Sequence, residues 1–304
     1  MTLYRTVLAA DLTPLVGSLI QPTGFPDLGA AEFGDNMLLV ESAQSMANWL
    51  EGTTWDVAVN DQVPELVGAG VPYVRIVDEA KNFLSASRLE AHRLASAYIM
   101  NGIVGGTNGE KWMEEQLGLI KGRPLDYRAV ARACFRLDPV SLVHGVFFAR
   151  KNWPWQPKIS RAVTSFIEAS NAKPAVSGGV KRDVVVNEAK GNATAEGYGT
   201  VPHHRVEYTA EPITAYFTID HAQFRSYGLS EPATALLEAL ADFEIATLLE
   251  RGMRLRTRCD LVVREVRGER PDAAEAAARI AKFAADASGE LGPVTEVVYS
   301  GRGK

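Results

Sequence analysis

SLVHGVFFARKNWPWQPKISRAVTSFIEASNAKPAVSGGVKRD, residues Ser141 to Asp183, is the stretch around which the chain is organised. Leu142 to Ala149 is almost wholly apolar and predicts a central strand. Trp153-Pro154-Trp155-Gln156-Pro157 turns the chain, and Pro157 suits the start of a helix. Ile159, Val163, Phe166 and Ile167 predict that helix's buried face, with Lys158, Arg161, Ser165 and Glu168 opposite. The stretch closes on a glycine turn, Ser177-Gly178-Gly179, and two cations, Lys181 and Arg182. From Arg150 to Arg182 seven Lys or Arg stand against one acid, Glu168, although the whole chain carries −5. A basic segment in an acidic chain predicts one anion-binding surface rather than a coat of positive charge.

The totals narrow the class. The 304 residues are 46% hydrophobic and 23% charged, enough for a sizeable core in one large domain or two small ones. The two cysteines, Cys134 and Cys259, are far apart and in no metal spacing, which fits a reducing cytosol and argues against a disulfide scaffold or a zinc site. MTLYRTVLAADL lacks a basic head with an apolar core, and no apolar run reaches membrane-spanning length. A cytoplasmic protein with no membrane partner is expected.

Outward from the basic stretch the pattern mixes strands and helices, which makes the class α+β. Gln21 to Gly34 is a loop shaped by prolines and glycines. Met37 to Val40 is a buried strand run; it ends at Glu41-Ser42, and a helix follows with Met46, Trp49 and Leu50 on one face. Residues 53–82 read as β-like, with a turn at Gly68-Ala69-Gly70. Ser85 to Met100 is expected to be a helix bearing a polar stripe of Arg88, His92 and Ser96. Further helices are expected over 110–119, 126–135, 230–251 and 272–287, and strands over 212–219 and 254–266. Residues 187–206, rich in Gly, Ala, Thr and Asn, predict an exposed excursion of hairpin type. No internal repeat or linker stands out, so 1–304 reads as a single domain.

Several groups can carry chemistry, and each has a plain structural alternative. In Ser177-Gly178-Gly179-Val180-Lys181-Arg182 the glycines let backbone N–H groups approach an anion that Lys181 and Arg182 neutralise. The alternative is a solvated surface turn, and the motif lacks the Walker spacing. Lys158 and Arg161, at the start of the expected helix, would hold a phosphate or line a solvated face. Arg88 and His92 reach phosphate or cap a neighbour. Arg254, Arg256 and Arg258 form a basic stripe or line the solvent side of a sheet. Trp153 and Trp155 stack on bases or anchor packing. His144, in an apolar run, reads as a hydrogen-bonded core histidine before a general base. His203-His204 makes a poor metal pair, because neighbours in a strand point opposite ways. With no Gly-x-Ser-x-Gly elbow, no His-Glu-x-x-His and no carboxylate cluster, nothing demands catalysis, a cofactor or a metal.

QPTGFPDLGAA (21–31), LLVESAQSMANWLE (38–51), SRLEAHRLASAYI (87–99), LDPVSLVHGVFFA (137–149) and RAVTSFIEA with SGGVKRD (161–183) occur in order. Together they resemble the backbone subunit of type I-G CRISPR interference complexes, formerly subtype U, the Cas-seven family. The resemblance covers most of the chain up to about Gly268. It implies an RRM-like (ferredoxin-like) palm elaborated with finger helices and a protruding thumb. Candidates for the thumb are 187–206, with 53–82 competing. It also implies a non-enzymatic subunit that polymerises along CRISPR RNA, contacts further copies of itself and other Cascade subunits, and meets target DNA through the guide. Cutting falls to a separate helicase-nuclease.

Carried onto this sequence, the resemblance makes Ser177, Gly178, Gly179, Lys181 and Arg182 the first candidates for guide phosphates. Ser42, Gln44, Ser45 and Asn48 come next as neutral donors, then Lys158 and Arg161, with Arg88 and His92 on the helix face. The RNP word of base-reading RRM sheets is missing, so a groove outside the sheet face is expected. The rival is an enzyme acting on a phosphorylated small molecule, with Ser177–Lys181 as anion loop and His144 or His92 as acid/base. A second rival is an assembly protein whose basic segment meets an acidic partner.

Overall fold

A computed structural model describes residues 3–25, 29–182 and 200–301. Its spine is a seven-stranded sheet in the order Met253–Arg256, Cys259–Arg267, Arg5–Pro14, Ile213–Asp220, Val163–Ala169, Met37–Glu41, Glu32–Phe33. Neighbours are antiparallel throughout. Four of these strands carry the fold, and in chain order they are Arg5–Pro14, Val163–Ala169, Ile213–Asp220 and Cys259–Arg267. In space they run fourth, first, third, second. Helices intervene after the first and third, and the alternation of burial is that of a sheet with one covered face. Leu8 lies opposite Phe217 and Phe217 opposite Ser165; Ala10, Ala215 and Ile167 follow two residues on. All six are buried.

The covering layer is helical. Glu231–Arg251 runs along the sheet, capped by the Ser230 hydroxyl at Ala233 N (3.2 Å) and ended by Gly252 at φ 72°. Leu236, Leu240 and Phe243 are buried, and so are Ala239, Ala241, Ile245 and Ala246, because neighbours cover both sides of this helix. Ala43–Gly52 packs on Val163–Ala169, and Ala273–Asp286 packs on the long helix from outside. A second sheet of five short strands runs Thr107–Asn108, Ile103–Val104, Thr295–Val298, Val74–Val77, Phe83–Ala86, with only Thr295–Val298 and Val74–Val77 parallel.

Between Ala169 and Ile213 the chain leaves the spine as a two-stranded arm, Lys173–Arg182 against Thr200–Thr209, in register from Lys173↔Thr209 to Arg182↔Thr200. Its root is tied down. Tyr208 exchanges both backbone hydrogen bonds with Ile20 (2.8 Å each), and the Tyr208 hydroxyl donates to Glu32. Ser170 N donates to Pro212 O (3.0 Å) and Glu211 N to Ser170 O (3.1 Å). Next to the root, Val176 is 70% exposed.

Most expected elements are present, and four are not. Leu142–Ala149 is no central strand: Val140–His144 is a short helix, Gly145 at φ 80° ends it, and only Val146–Phe147 is extended. Every residue of Val140–His144 is buried, so no period distinguished helix from strand. The helix expected after Pro157 is two strands, Lys158–Ile159 and Val163–Ala169. A spacing of four, as in 159, 163 and 167, repeats on one side of a strand as well as a helix; Val163, Ser165, Ile167 and Ala169 show the true period of two. Ser85–Met100 is broken into the end of a strand, a 3-10 turn at Arg93–Ala95 and a helix at Ala97–Asn101, with Arg93 at φ 51°. Finally, Ser177–Arg182 belongs to an arm strand and is not a turn. Of the expected 187–206 excursion, 200–206 is the partner strand, and 187–199 lies outside the described residues. Residues 53–82 are folded into the body, where Trp55, Leu66, Val74 and Ile76 are buried. Residues 5–14, unremarkable in sequence, form a strand of the spine.

Candidate nucleic-acid interface

A groove of about 630 Å³ opens where the helix start at Ala43, the turn at Ala91–Arg93 and the ladder of Val146–Phe147 with Lys158–Ile159 converge. It gathers four of the sequence candidates, Gln44, His92, Lys158 and Arg161, from segments spread over more than a hundred residues of chain. Gln44, His92 and Lys158 are exposed, and Arg161 is half-buried. The neighbouring candidates sort by helix geometry. The Ser42 hydroxyl caps the helix by accepting from Ser45 N (3.3 Å), while Asn48, one turn on, is exposed on the outer side.

The floor is a buried charge network. Arg93 holds both carboxylate oxygens of Glu51, through Nε and Nη2, at 2.6 Å each, and its Nη1 donates to Gly145 O at 3.1 Å. His144 Nε2 and Glu244 Oε2 lie 2.7 Å apart with both side chains fully buried. His144 is thus the paired core residue its apolar surroundings predicted. Burial pushes the Glu51 carboxyl above the usual carboxylate value, against the pull of His144 and Arg93. Arg161 is the upper tier: its Nη1 donates to Ala43 O (3.2 Å). Burial, then the Arg93 cation, lower its pKa from the ordinary arginine value, and Glu51 opposes them. Among the described residues no carboxylate lies within ion-pair distance of Lys158 or Arg161. Arg93 consumes the nearby carboxylate, so the groove presents net positive charge to whatever enters.

Other candidates are placed elsewhere. Arg88 is buried: its Nε lies 3.3 Å from Asp138 Oδ1, and its Nη2 donates to Pro72 O at 3.1 Å. The polar helix stripe expected of Arg88, His92 and Ser96 does not form, and Arg88 instead partners Asp138, itself 1% exposed. Ser177, Gly178, Gly179, Lys181 and Arg182 stand on the arm, and their side chains lie outside the described residues. Of the three arginines read as a stripe, Arg256 is a tie, bound to Glu41 Oε2 (2.5 Å), Val40 O and Gln21 O, and Arg258 pairs with Glu207 at 3.5 Å. Trp153 is buried and stacks on Phe148, centroids 6.0 Å apart; Trp155 is part-exposed, its Nε1 bonded to Arg123 O at 2.9 Å.

Glu51, Arg93, Gly145 and Phe147 are among the lining and floor residues that are not sequence candidates. Glu51 closing an apolar helix face and Gly145 interrupting an apolar run were the available signals. Arg93 had none, since its role depends on a left-handed backbone. No group of three metal-ligating side chains occurs among the described residues, nor a helix long and apolar enough to cross a membrane.

The family described as CRISPR-associated protein GSU0053 matches residues 6–174. That match takes in every residue lining the groove and the strands Met37–Glu41 and Val163–Ala169. No curated protein matches the chain. A chain of a solved CRISPR RNA-guided surveillance complex, in a pre-nicking state, aligns over 81% of this chain and 71% of its own, at 9% identity and a TM-score of 0.36, a likeness too distant to fix the fold.

Proposed function

The chain belongs to the CRISPR-associated protein GSU0053 family, and on that premise we propose that it is a non-catalytic backbone subunit of a type I-G Cascade complex that grips CRISPR RNA by its phosphates. The observation that carries the reading is the groove. Lys158 and Arg161, two cations with no carboxylate partner among the described residues, stand beside Gln44 and the exposed His92, above a floor whose own charges are already paired. Such a surface binds phosphate without reading sequence, which suits a protein that leaves recognition to base pairing.

In this reading the four long strands, ordered fourth, first, third, second, are the RRM-like palm, since a β-α-β-β-α-β order with that arrangement is the ferredoxin-like plan. The arm inserted between the second and third of them is the thumb, carrying Lys181 and Arg182 as a second phosphate contact. Further copies of the chain, other Cascade subunits and, through the guide, target DNA are its partners, with a separate helicase-nuclease doing the cutting in the cytoplasm. Two observations weigh against the rival small-molecule enzyme: Ser177–Lys181 runs in a strand rather than a turn, and His144 is buried against Glu244.

The test is expression together with a CRISPR array, followed by purification. RNA of discrete lengths, bound by a multimer, is the expected result. Protein free of RNA and unable to multimerise on added guide overturns the reading.

A further inference from the structure

Phe147 is an aromatic ring the phosphate reading leaves unused. It is 47% exposed, although its neighbours Val146 and Phe148 are buried. Alternation along an extended pair explains the direction: Phe148 turns inward to stack on Trp153, so Phe147 turns outward. Single exposed aromatics are ordinary on protein surfaces and need no explanation. This one lines the groove, and its register partner across the two-stranded ladder is Lys158. Directly opposed residues share a face of the ladder, so the ring and the Lys158 side chain leave side by side.

The platform is also held in place. Gly145, two residues before the ring, is fixed by its carbonyl bond to Arg93 (3.1 Å), and Val143 O accepts from Ala162 N at 2.9 Å. A ring fixed beside two phosphate-ready cations has the layout of single-strand binders, where a backbone-tracking basic groove runs next to aromatic faces. A base inside a duplex is already stacked on both sides and has no free face to offer.

Resting on the RNA-groove reading above, we propose that Phe147 is a stacking platform for one unpaired nucleobase, whose adjoining phosphate lies on Lys158 and Arg161. The groove's ligand is then a single strand with at least one unstacked base.

The experiment compares the full-length chain with Phe147→Ala, Phe147→Leu and Phe147→Trp on single-stranded RNA, on duplex RNA, and on single-stranded RNA carrying 2-aminopurine. Phe147→Ala and Phe147→Leu are expected to weaken single-strand binding about 5- to 100-fold, with an unchanged salt slope. Phe147→Trp is expected to keep it. Wild type should quench 2-aminopurine, Phe147→Ala should not, and duplex binding should be the same for all four. If wild type binds RNA but Phe147→Ala binds and quenches equally well, the platform falls and the RNA groove stands. The platform also falls if Phe147→Leu restores full affinity, or if Phe147→Ala weakens single strands and duplex alike. If wild type binds no RNA at all, the groove reading falls first and takes this one with it.

Discussion

Arg93 and Glu51 form a two-pronged ion pair, each nitrogen 2.6 Å from its oxygen, inside a wall only 9% and 4% exposed at the two side chains. The pair joins the helix Ala43–Gly52 to the turn that carries His92, and the third bond of Arg93 reaches the strand wall at Gly145. Three walls of the groove are thereby cross-linked by one guanidinium. Arg93→Ala leaves a buried carboxylate alone and is expected to lower unfolding free energy by about 3–5 kcal/mol in urea titrations. Arg93→Lys keeps the charge but loses the fork, and should recover only part of that stability.

Gly145 is a second control on the same wall. At φ 80°, a Cβ there would lie 2.7 Å from Ile159 O and 3.0 Å from Arg161 N, both backbone atoms. Gly145→Ala is expected to destabilise the chain by about 1–3 kcal/mol and to reduce RNA affinity in the protein that remains folded. Denaturation and binding assays on one preparation check both effects.

Lys158→Ala with Arg161→Ala should weaken RNA binding for every guide sequence tested. The log–log salt dependence should flatten by about 0.7 for each single-strand phosphate that is no longer neutralised. Lys181→Ala with Arg182→Ala, on the arm, should act in the same direction. Unchanged affinity and slope in either double variant would remove that pair from the interface.

Arg88 gives the contrasting result. Removing it leaves Asp138 buried, with Ser87 Oγ (2.5 Å) and Val140 N (3.2 Å) as its remaining partners. Arg88→Ala is expected to cost about 3–5 kcal/mol of stability while the folded fraction keeps its RNA affinity and salt slope.

Tyr208 makes the arm root sensitive to alkali. Burial, together with the Glu32 carboxylate it donates to, pushes its phenol up to about 12. An acid whose folded pKa is raised stabilises the fold fully below its unfolded value, near 10, and loses that contribution as pH climbs through the folded value. A tyrosinate absorbance titration should show one fewer group titrating near pH 12 in Tyr208→Phe. The stability difference between the two proteins should shrink over the same window.

Capped helices were the most legible part of the sequence. Asp126, Ser230 and Asp272 each sit at the N-cap, and Gly252 stops the long helix, because caps are local chemistry. What the sequence hid was decided by contacts distant along the chain. Val163–Ala169 is a strand because Ile213–Asp220 and Met37–Glu41 lie on either side of it, and its i, i+4 spacing alone fits either element. The groove was half legible. Lys158, Arg161 and His92 carry visible charge or polarity, Gln44 follows from the family resemblance, and all four converge. No helix dipole acts on Lys158 and Arg161, because they stand at strands, and the burial of Arg88 follows from its partner, Asp138, which no local pattern connects to it.

The arm leaves the sheet between two strands that are themselves hydrogen-bonded neighbours, with Ser170 and Glu211 continuing that ladder into its root. Its two ends therefore stay a fixed few ångströms apart whatever lies between them. The arm behaves as a replaceable attachment on a standard socket. Its length can change by many residues at a cost of well under ~1 kcal/mol in loop closure, and the core beneath it keeps its packing unchanged.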